Sequence, residues 1–401
     1  IMNFINTLFE GAEGSWSGGI AHILIIISFV IALGKILGNT KIFGISFGMT
    51  WVLFVGIVFG HFNLTIDNNL LHFLKEFGLV LFVYSIGLQV GPGFFSSFKS
   101  GGLRLNILAC IVILSGVAST IILYKLTITP ATTLVGIMSG AVTNTPGLGA
   151  AQQAYFDSTG NSASEIALGY AVAYPLGVIG CIVAFIMIKK LIYRNDYSSD
   201  NLNETIVKPT DVEKTASDHP NLIPTFIGIA LGCILGSIPV KFPGVPQAVK
   251  LGLAGGPLIV SILISYFSPK LKIDTSVTTS ANLMIREIGI ALFLACVGLE
   301  AGEKFVDCIM NGDGFKWIAY GALITVIPVL LGGVVGRYIL KIDYATLIGV
   351  LSGSCTNPPA LAYANEQDKG SGKSAIGYAT VYPLAMFLRV LAAQLLILMM
   401  V

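Results

Sequence analysis

Two short segments of this chain concentrate the groups able to hold a small polar molecule: Ser139-Gly140-Ala141-Val142-Thr143-Asn144-Thr145-Pro146 and Ser352-Gly353-Ser354-Cys355-Thr356-Asn357-Pro358-Pro359. Their hydroxyl and amide groups can coordinate a carboxylate or a cation without the cost of a buried charge. Pro146, Pro358 and Pro359 remove backbone donors and open a helix, freeing carbonyls. A half-helix that starts beyond such a break points its free N–H groups and positive dipole end at whatever lies there, which suits an anion. Gly140 and Gly353 permit a tight turn and close approach. With Ser139, Thr143, Asn144, Thr145, Ser352, Thr356 and Asn357 they form the candidate substrate-binding set. The competing reading is a pair of polar kinks that only pack two halves of the chain together.

Arg389 is the second candidate, because it interrupts the apolar stretch Val381–Val401. A charge in such a stretch costs roughly 2.5 kcal/mol or more and is usually functional or paired. A guanidinium grips a carboxylate through two parallel hydrogen bonds. The alternative is a structural ion pair with Glu287 or Glu300. Tyr174 and Tyr382, each followed by a proline, are expected to support kinks and line a cavity. Glu76 and Glu287 read as charges at helix ends. The six cysteines and four histidines show no metal-ligand or disulfide spacing, so neither a metal nor another cofactor is expected, and nothing suggests nucleic acid as a partner or an enzymatic nucleophile–base pair.

The elements that must position these residues are membrane helices. The chain has 401 residues, 54% hydrophobic and 11% charged, with a mean hydropathy of +0.83; a soluble domain carries about 25% charge. Apolar runs approaching the ~20 residues a span needs fall near 20–38, 43–62, 76–95, 103–125 and 166–188, and again near 222–239, 250–268, 285–302, 316–340 and 375–400. The two halves share more than this spacing. Gly169-Tyr170-Ala171-Val172-Ala173-Tyr174-Pro175-Leu176 returns as Gly377-Tyr378-Ala379-Thr380-Val381-Tyr382-Pro383-Leu384, and Glu76-Phe77-Gly78 returns as Glu287-Ile288-Gly289. A duplicated apolar chain with Gly/Pro-interrupted segments in matching places points to a transporter binding site.

If the segments near 131–157 and 344–365 are re-entrant, each half has five spans. With the N-terminus outside, sixteen Lys and Arg residues then fall inside against six outside, in keeping with the positive-inside rule. An odd span count inverts the second copy relative to the first. The expected fold is thus an all-α polytopic membrane protein of two inverted-topology repeats, each of five transmembrane helices plus one re-entrant or broken element. Residues 1–190 form the first repeat (scaffold spans 20–62, core 76–190), 191–220 a polar cytoplasmic linker, and 221–401 the second repeat (scaffold spans 222–268, core 285–401).

The paired Gly-x-x-Thr-x-x-Pro motifs, the two five-span halves and the hydrophilic join resemble the aspartate–alanine exchanger family of bacterial secondary transporters. The resemblance covers both membrane halves. It implies exchange of small amino acids or dicarboxylates, such as aspartate, alanine or succinate, across the bacterial inner membrane by an elevator-like movement of a mobile core against a scaffold. Members commonly carry a large cytoplasmic regulatory insert between the halves, where 191–220 reads only as a linker. Beside this antiporter stand a Na⁺- or H⁺-coupled symporter of organic anions, with a coupling cation as a further partner, and, with less in its favour, an ion channel. Membrane lipid and a second copy of the chain, in a homodimer, complete the expected partners.

Overall fold

The computed structural model describes residues 16–42, 45–46, 48–62, 64, 67–98, 102–193, 222–239, 250–271, 277–310, 312–368 and 371–401. The expected linker, 191–220, therefore lies almost wholly outside the described residues. Apart from a two-residue antiparallel pair (β1 Lys41–Ile42, β2 Ile45–Ser46), the regular structure described is helical. The first half holds α1 Trp16–Gly38, α2 Thr50–His61, α3 Asn68–Phe94, α4 Gly102–Leu126, α5 Ala131–Ala141, α6 Thr145–Thr159 and α7 Ser164–Leu191. The second holds α8 Leu222–Ser237, α9 Gly252–Leu271, α10 Thr279–Met310, α11 Gly314–Val334, α12 Tyr344–Ser354, α13 Pro358–Gln367 and α14 Lys373–Met400.

Among the described residues, seven helices are long and apolar enough to cross a membrane: α1, α3, α4, α7, α10, α11 (with the π-turn that extends it to Ile339) and α14. The protein is a multi-pass membrane protein. The other three expected spans appear as shorter apolar helices, Thr50–His61, Leu222–Ser237 and Gly252–Ser268. Two of these start late for a local reason: left-handed glycines, Gly48 (φ +53°) and Gly252 (φ +68°), stand just before α2 and at the first residue of α9. Helix α8 shows the membrane logic in its faces. Thr225, Gly228, Gly232 and Gly236 are buried, whereas Ile223, Phe226, Ile227 and Ile234 are exposed. Small residues inward and large apolar residues outward is the pattern of a helix solvated by lipid.

The chain forms two compact units. One comprises residues 1–82 and 284–315, the other 83–283 and 316–401. In the first, backbones touch through glycines: a Cβ on Gly56 would stand 2.9 Å from the Ala295 carbonyl, one on Gly60 2.4 Å from that of Leu299, and one on Gly78 2.8 Å from that of Gly289. Cross-helix ion pairs in this unit include Lys35–Glu287, which is exposed, and Lys75–Glu300, which is buried, each at 2.8 Å. Lys75 is thus the buried member of a pair and lies within α3.

The second unit contains every candidate residue. Its apolar core joins α4, α7, α11, α12 and α14 through Leu108, Val112, Phe185, Val329, Leu351 and Val381. Successive contacts rise together along α5 and α7: Gly136 lies against Ile166, Gly140 against Tyr170 and Ala141 against Gly177. These helices therefore run parallel. Helix α6, joined to α7 only by residues 160–163, carries the chain back to the end from which α5 began. The second copy repeats this. Gly349 lies against Ser374 and Gly353 against Tyr378 and Val381, so α13 returns the chain to the start of α14.

Candidate functional site

Each motif folds into the turn between a helix pair, and the sequence dictates how. Asn144 and Asn357 are the N-caps of α6 and α13, their Oδ1 atoms accepting from Gly147 N (2.6 Å) and Ala360 N (3.0 Å). Prolines at the first turn of both half-helices lose no hydrogen bond there. The chain turns into each cap through a threonine in the left-handed region, Thr143 at φ +52° and Thr356 at φ +49°. That conformation is unfavourable for a β-branched residue and persists only where the surroundings fix it. Gly147 is glycine because a Cβ there would stand 2.4 Å from Asn144 Oδ1.

The two turns meet. Thr143 Oγ1 lies 3.2 Å from the carbonyl of Cys355 and 3.1 Å from that of Thr356, and donates to them. Thr356 Oγ1 donates to the Val142 carbonyl at 3.0 Å and accepts from Asn144 Nδ2 at 3.2 Å. Asn144 Nδ2 also lies 3.3 Å from Met386 Sδ, and Asn357 Nδ2 reaches the Gly177 carbonyl at 3.3 Å. Thr143, Asn144, Thr356 and Asn357 are all buried. The α5 end is further held by Thr325 Oγ1 of α11, which donates to the Ala141 carbonyl at 2.7 Å.

The remaining predicted residues divide. Ser139 and Ser352 turn their hydroxyls back onto the carbonyls of Val135 (2.9 Å) and Ile348 (2.7 Å) of their own helices. Gly140 and Gly353 are the points where α5 and α12 touch α7 and α14. Thr145 Oγ1 shares a 2.8 Å hydrogen bond with Tyr170 OH, making Tyr170 the tyrosine that touches the first turn. Tyr174 packs beside Tyr170, and Tyr382 stacks on Tyr378 with centroids 5.0 Å apart. Pro146 is buried, Pro359 partly buried and Pro358 exposed, so the second turn is the more open.

Arg389 lies beside the second turn and is 1% exposed. Its Nε donates to the Ser354 carbonyl at 3.1 Å, and both Nη1 and Nη2 lack a hydrogen-bond partner among the described residues. The glutamates that could have paired with it are bonded elsewhere, Glu287 to Lys35 and Glu300 to Lys75. A buried guanidinium with two free donors is costly unless something accepts from them. Among the described residues, sequence reasoning missed four other buried side chains with unsatisfied amide atoms, Asn106, Gln152, Gln153 and Gln394. Gln153 and Gln394 both approach the left-handed Gly252 at the start of α9. Their signal in the sequence was no more than glutamine in apolar surroundings. Among the described residues, no cluster of His, Cys, Asp or Glu could hold a metal.

Comparison with known proteins agrees with this architecture. Residues 26–190 and 224–398 match a family described as a predicted permease membrane region. An uncharacterized transporter of Bacteroides fragilis is 46% identical, the alignment covering 99% of this chain and 100% of that protein. An uncharacterized transporter of Bacteroides thetaiotaomicron is 37% identical over 95% of this chain and 98% of its own length. These alignments, of 560 and 542 residues, are longer than the 401 residues here, so the relatives carry residues without a counterpart in this chain.

Proposed function

Because this chain belongs to the aspartate–alanine exchanger family of membrane transporters, we propose that it exchanges small carboxylates or amino acids across the bacterial inner membrane, with Arg389 as the partner of a substrate carboxylate. The observation that carries this reading is the fully buried guanidinium whose two terminal nitrogens lack a partner beside the crossing of the two turns. A carboxylate supplies the counter-charge and the two parallel acceptors that such a fork takes.

Inversion of the repeats is part of the proposal, and helix directions support it. Asn144 meets Met386, and nine residues along α6 Gln153 flanks Gly252 together with Gln394. Helices α6 and α14 thus run in the same sense. Since α6 opposes α5 while α14 parallels α12, the two turns enter from opposite sides. In the elevator reading, spans 20–62 and 222–268 form the scaffold and the homodimer contact, and residues 76–190 and 285–401, with the re-entrant pairs, form the moving part. The exposure of Pro358 against the burial of Pro146 favours access from the α13 side.

A coupled symporter remains the second reading, favoured by the unsatisfied oxygens of Gln152, Gln153 and Gln394, which suit a cation. Proteoliposomes preloaded with unlabelled aspartate, alanine or succinate decide between them. Trans-stimulated uptake independent of Na⁺ and pH gradients is the expected result. Uptake that needs a gradient and no internal substrate would replace exchange by symport.

A further inference from the structure

One face of α7 meets the second turn at successive levels. Asn357 Nδ2 reaches the Gly177 carbonyl at 3.3 Å. About two helical turns further along, Phe185 stacks on Tyr363 of α13, with ring centroids 6.4 Å apart. Cys181 stands midway, about one turn from each. Its thiol is hydrogen-bonded to that of Cys355, two residues before Asn357. Both cysteines are free, and at 0% and 1% exposure they lie buried in one apolar core. The Arg389 guanidinium, whose Nε donates to the neighbouring Ser354 carbonyl, interacts electrostatically with both sulfurs.

The internal repeat does not account for this pair. With Gly169-Tyr170 set against Gly377-Tyr378, Cys181 answers to Arg389; with Thr143-Asn144 set against Thr356-Asn357, Cys355 answers to Val142. The thiols therefore join the long helix of one copy to the turn of the other. The matching contact in the opposite sense would bring an arginine position to a valine position, with no sulfur in it. Val142 also shows that a small apolar side chain serves for packing at this place in a turn. Two cysteines in contact arose here independently of the duplication.

We infer that Cys181 and Cys355 are a modification site: oxidised to a disulfide, they clasp α7 to the second turn and shut the site beside Arg389. In that step each thiol loses its proton and one S–S bond forms. The two protons and two electrons pass to a membrane-permeant oxidant of the azo or peroxide class. A dithiol reverses the step by exchange. Cysteines react most readily where a cation faces the sulfur, and Arg389 is that cation. An S–S bond of about 2.0 Å is shorter than a contact between unbonded sulfurs, so it draws Cys355 towards α7. The Cys355 carbonyl accepts from Thr143 Oγ1 and the Ser354 carbonyl from Arg389 Nε, so both contacts are displaced with it. The pair stands on its own contacts; its effect on transport rests on the exchanger reading above.

A protease site placed in the polar segment 191–220 of the full chain makes the bond visible, because Cys181 and Cys355 lie on either side of the cut. After treatment with diamide and cleavage, the halves are expected to stay joined on a non-reducing gel and to separate with dithiothreitol. Counterflow of aspartate by the uncut protein should fall at least tenfold with diamide and return with dithiothreitol. Cys181→Ala, melting near the parent temperature, should give separate halves and a counterflow that diamide leaves unchanged. Halves that separate after diamide overturn the inference, and so do halves that stay joined in Cys181→Ala, which would assign the bond to other cysteines. Joined halves with undiminished counterflow would overturn the clasp and leave a disulfide without effect on the site. If the untreated parent exchanges none of aspartate, alanine and succinate, the exchanger reading falls and the effect on transport with it, while the gel still decides the thiol pair.

Discussion

Thr143 and Thr356, 213 residues apart, each hydrogen-bond to the backbone of the other's turn: Thr143 Oγ1 lies 3.1 Å from the Thr356 carbonyl, and Thr356 Oγ1 lies 3.0 Å from the carbonyl of Val142. The exchange is reciprocal, and both residues pay for it with a left-handed backbone, φ +52° and +49°. Each hydroxyl satisfies a carbonyl that the other turn leaves outside a helix.

Substitutions at this pair should separate strain from hydrogen bonding. Thr143→Val retains the β-branch and the strained backbone but loses the donor, leaving buried carbonyls short of a partner at a cost of about 1–3 kcal/mol. Thr143→Gly loses the same donor but relieves a backbone cost of about 1–3 kcal/mol. The glycine variant should therefore melt above the valine variant, and Thr143→Ser should stay close to the parent. A valine variant as stable as the serine variant would show that the hydroxyl contributes nothing.

Arg389→Met tests the unpaired guanidinium. Replacing a buried charge by an apolar side chain of similar length is expected to raise the stability of the ligand-free protein by about 1–4 kcal/mol while abolishing carboxylate-dependent counterflow. Arg389→Lys keeps the charge and loses the planar fork, so affinity should drop without unfolding. Melting temperature and counterflow on the same purified variants give the answer. A loss of stability in Arg389→Met, rescued by changing a glutamate, would mean a structural ion pair.

Helix direction predicts which residues share a membrane face. Cysteines placed at Ile128 and Asn161, both exposed on either side of the α5–α6 pair, should label from the same side with an impermeant thiol reagent. Cysteines at Lys341 and Ser371 around α12–α13, also exposed, should label from the opposite side. Labelling of Ile128→Cys and Asn161→Cys from opposite sides would make α5–α6 a broken crossing helix.

The Lys75–Glu300 pair, with side chains only 6% and 13% exposed, should be sensitive to loss of one member. Glu300→Gln is expected to destabilise by about 3–5 kcal/mol, because the ammonium is left buried without its counter-ion. The double change Lys75→Met with Glu300→Leu should recover most of that loss in thermal melting. Equal damage from the single and the double variants would show that packing, not charge, sets the cost.

Much of this could be read from the chain itself because it is local. Proline after Thr-Asn, with a glycine or alanine three residues beyond the asparagine, encodes a helix break followed by a capped helix, and Asn144 and Asn357 take that role. Their duplication, with an apolar composition, gave the membrane class and the family. Other features needed the fold. Whether an asparagine amide faces a ligand or its own helix depends on a cap only a few ångströms across, and the Oδ1 atoms turned out to be spent on the cap. The meeting of the two turns and the absence of a partner for Arg389 among the described residues both depend on residues far apart in the chain. Periodicity reports which face of a helix is apolar; it carries no information on which distant backbone that face will meet. That was decided by close packing, helix against helix, in the folded protein.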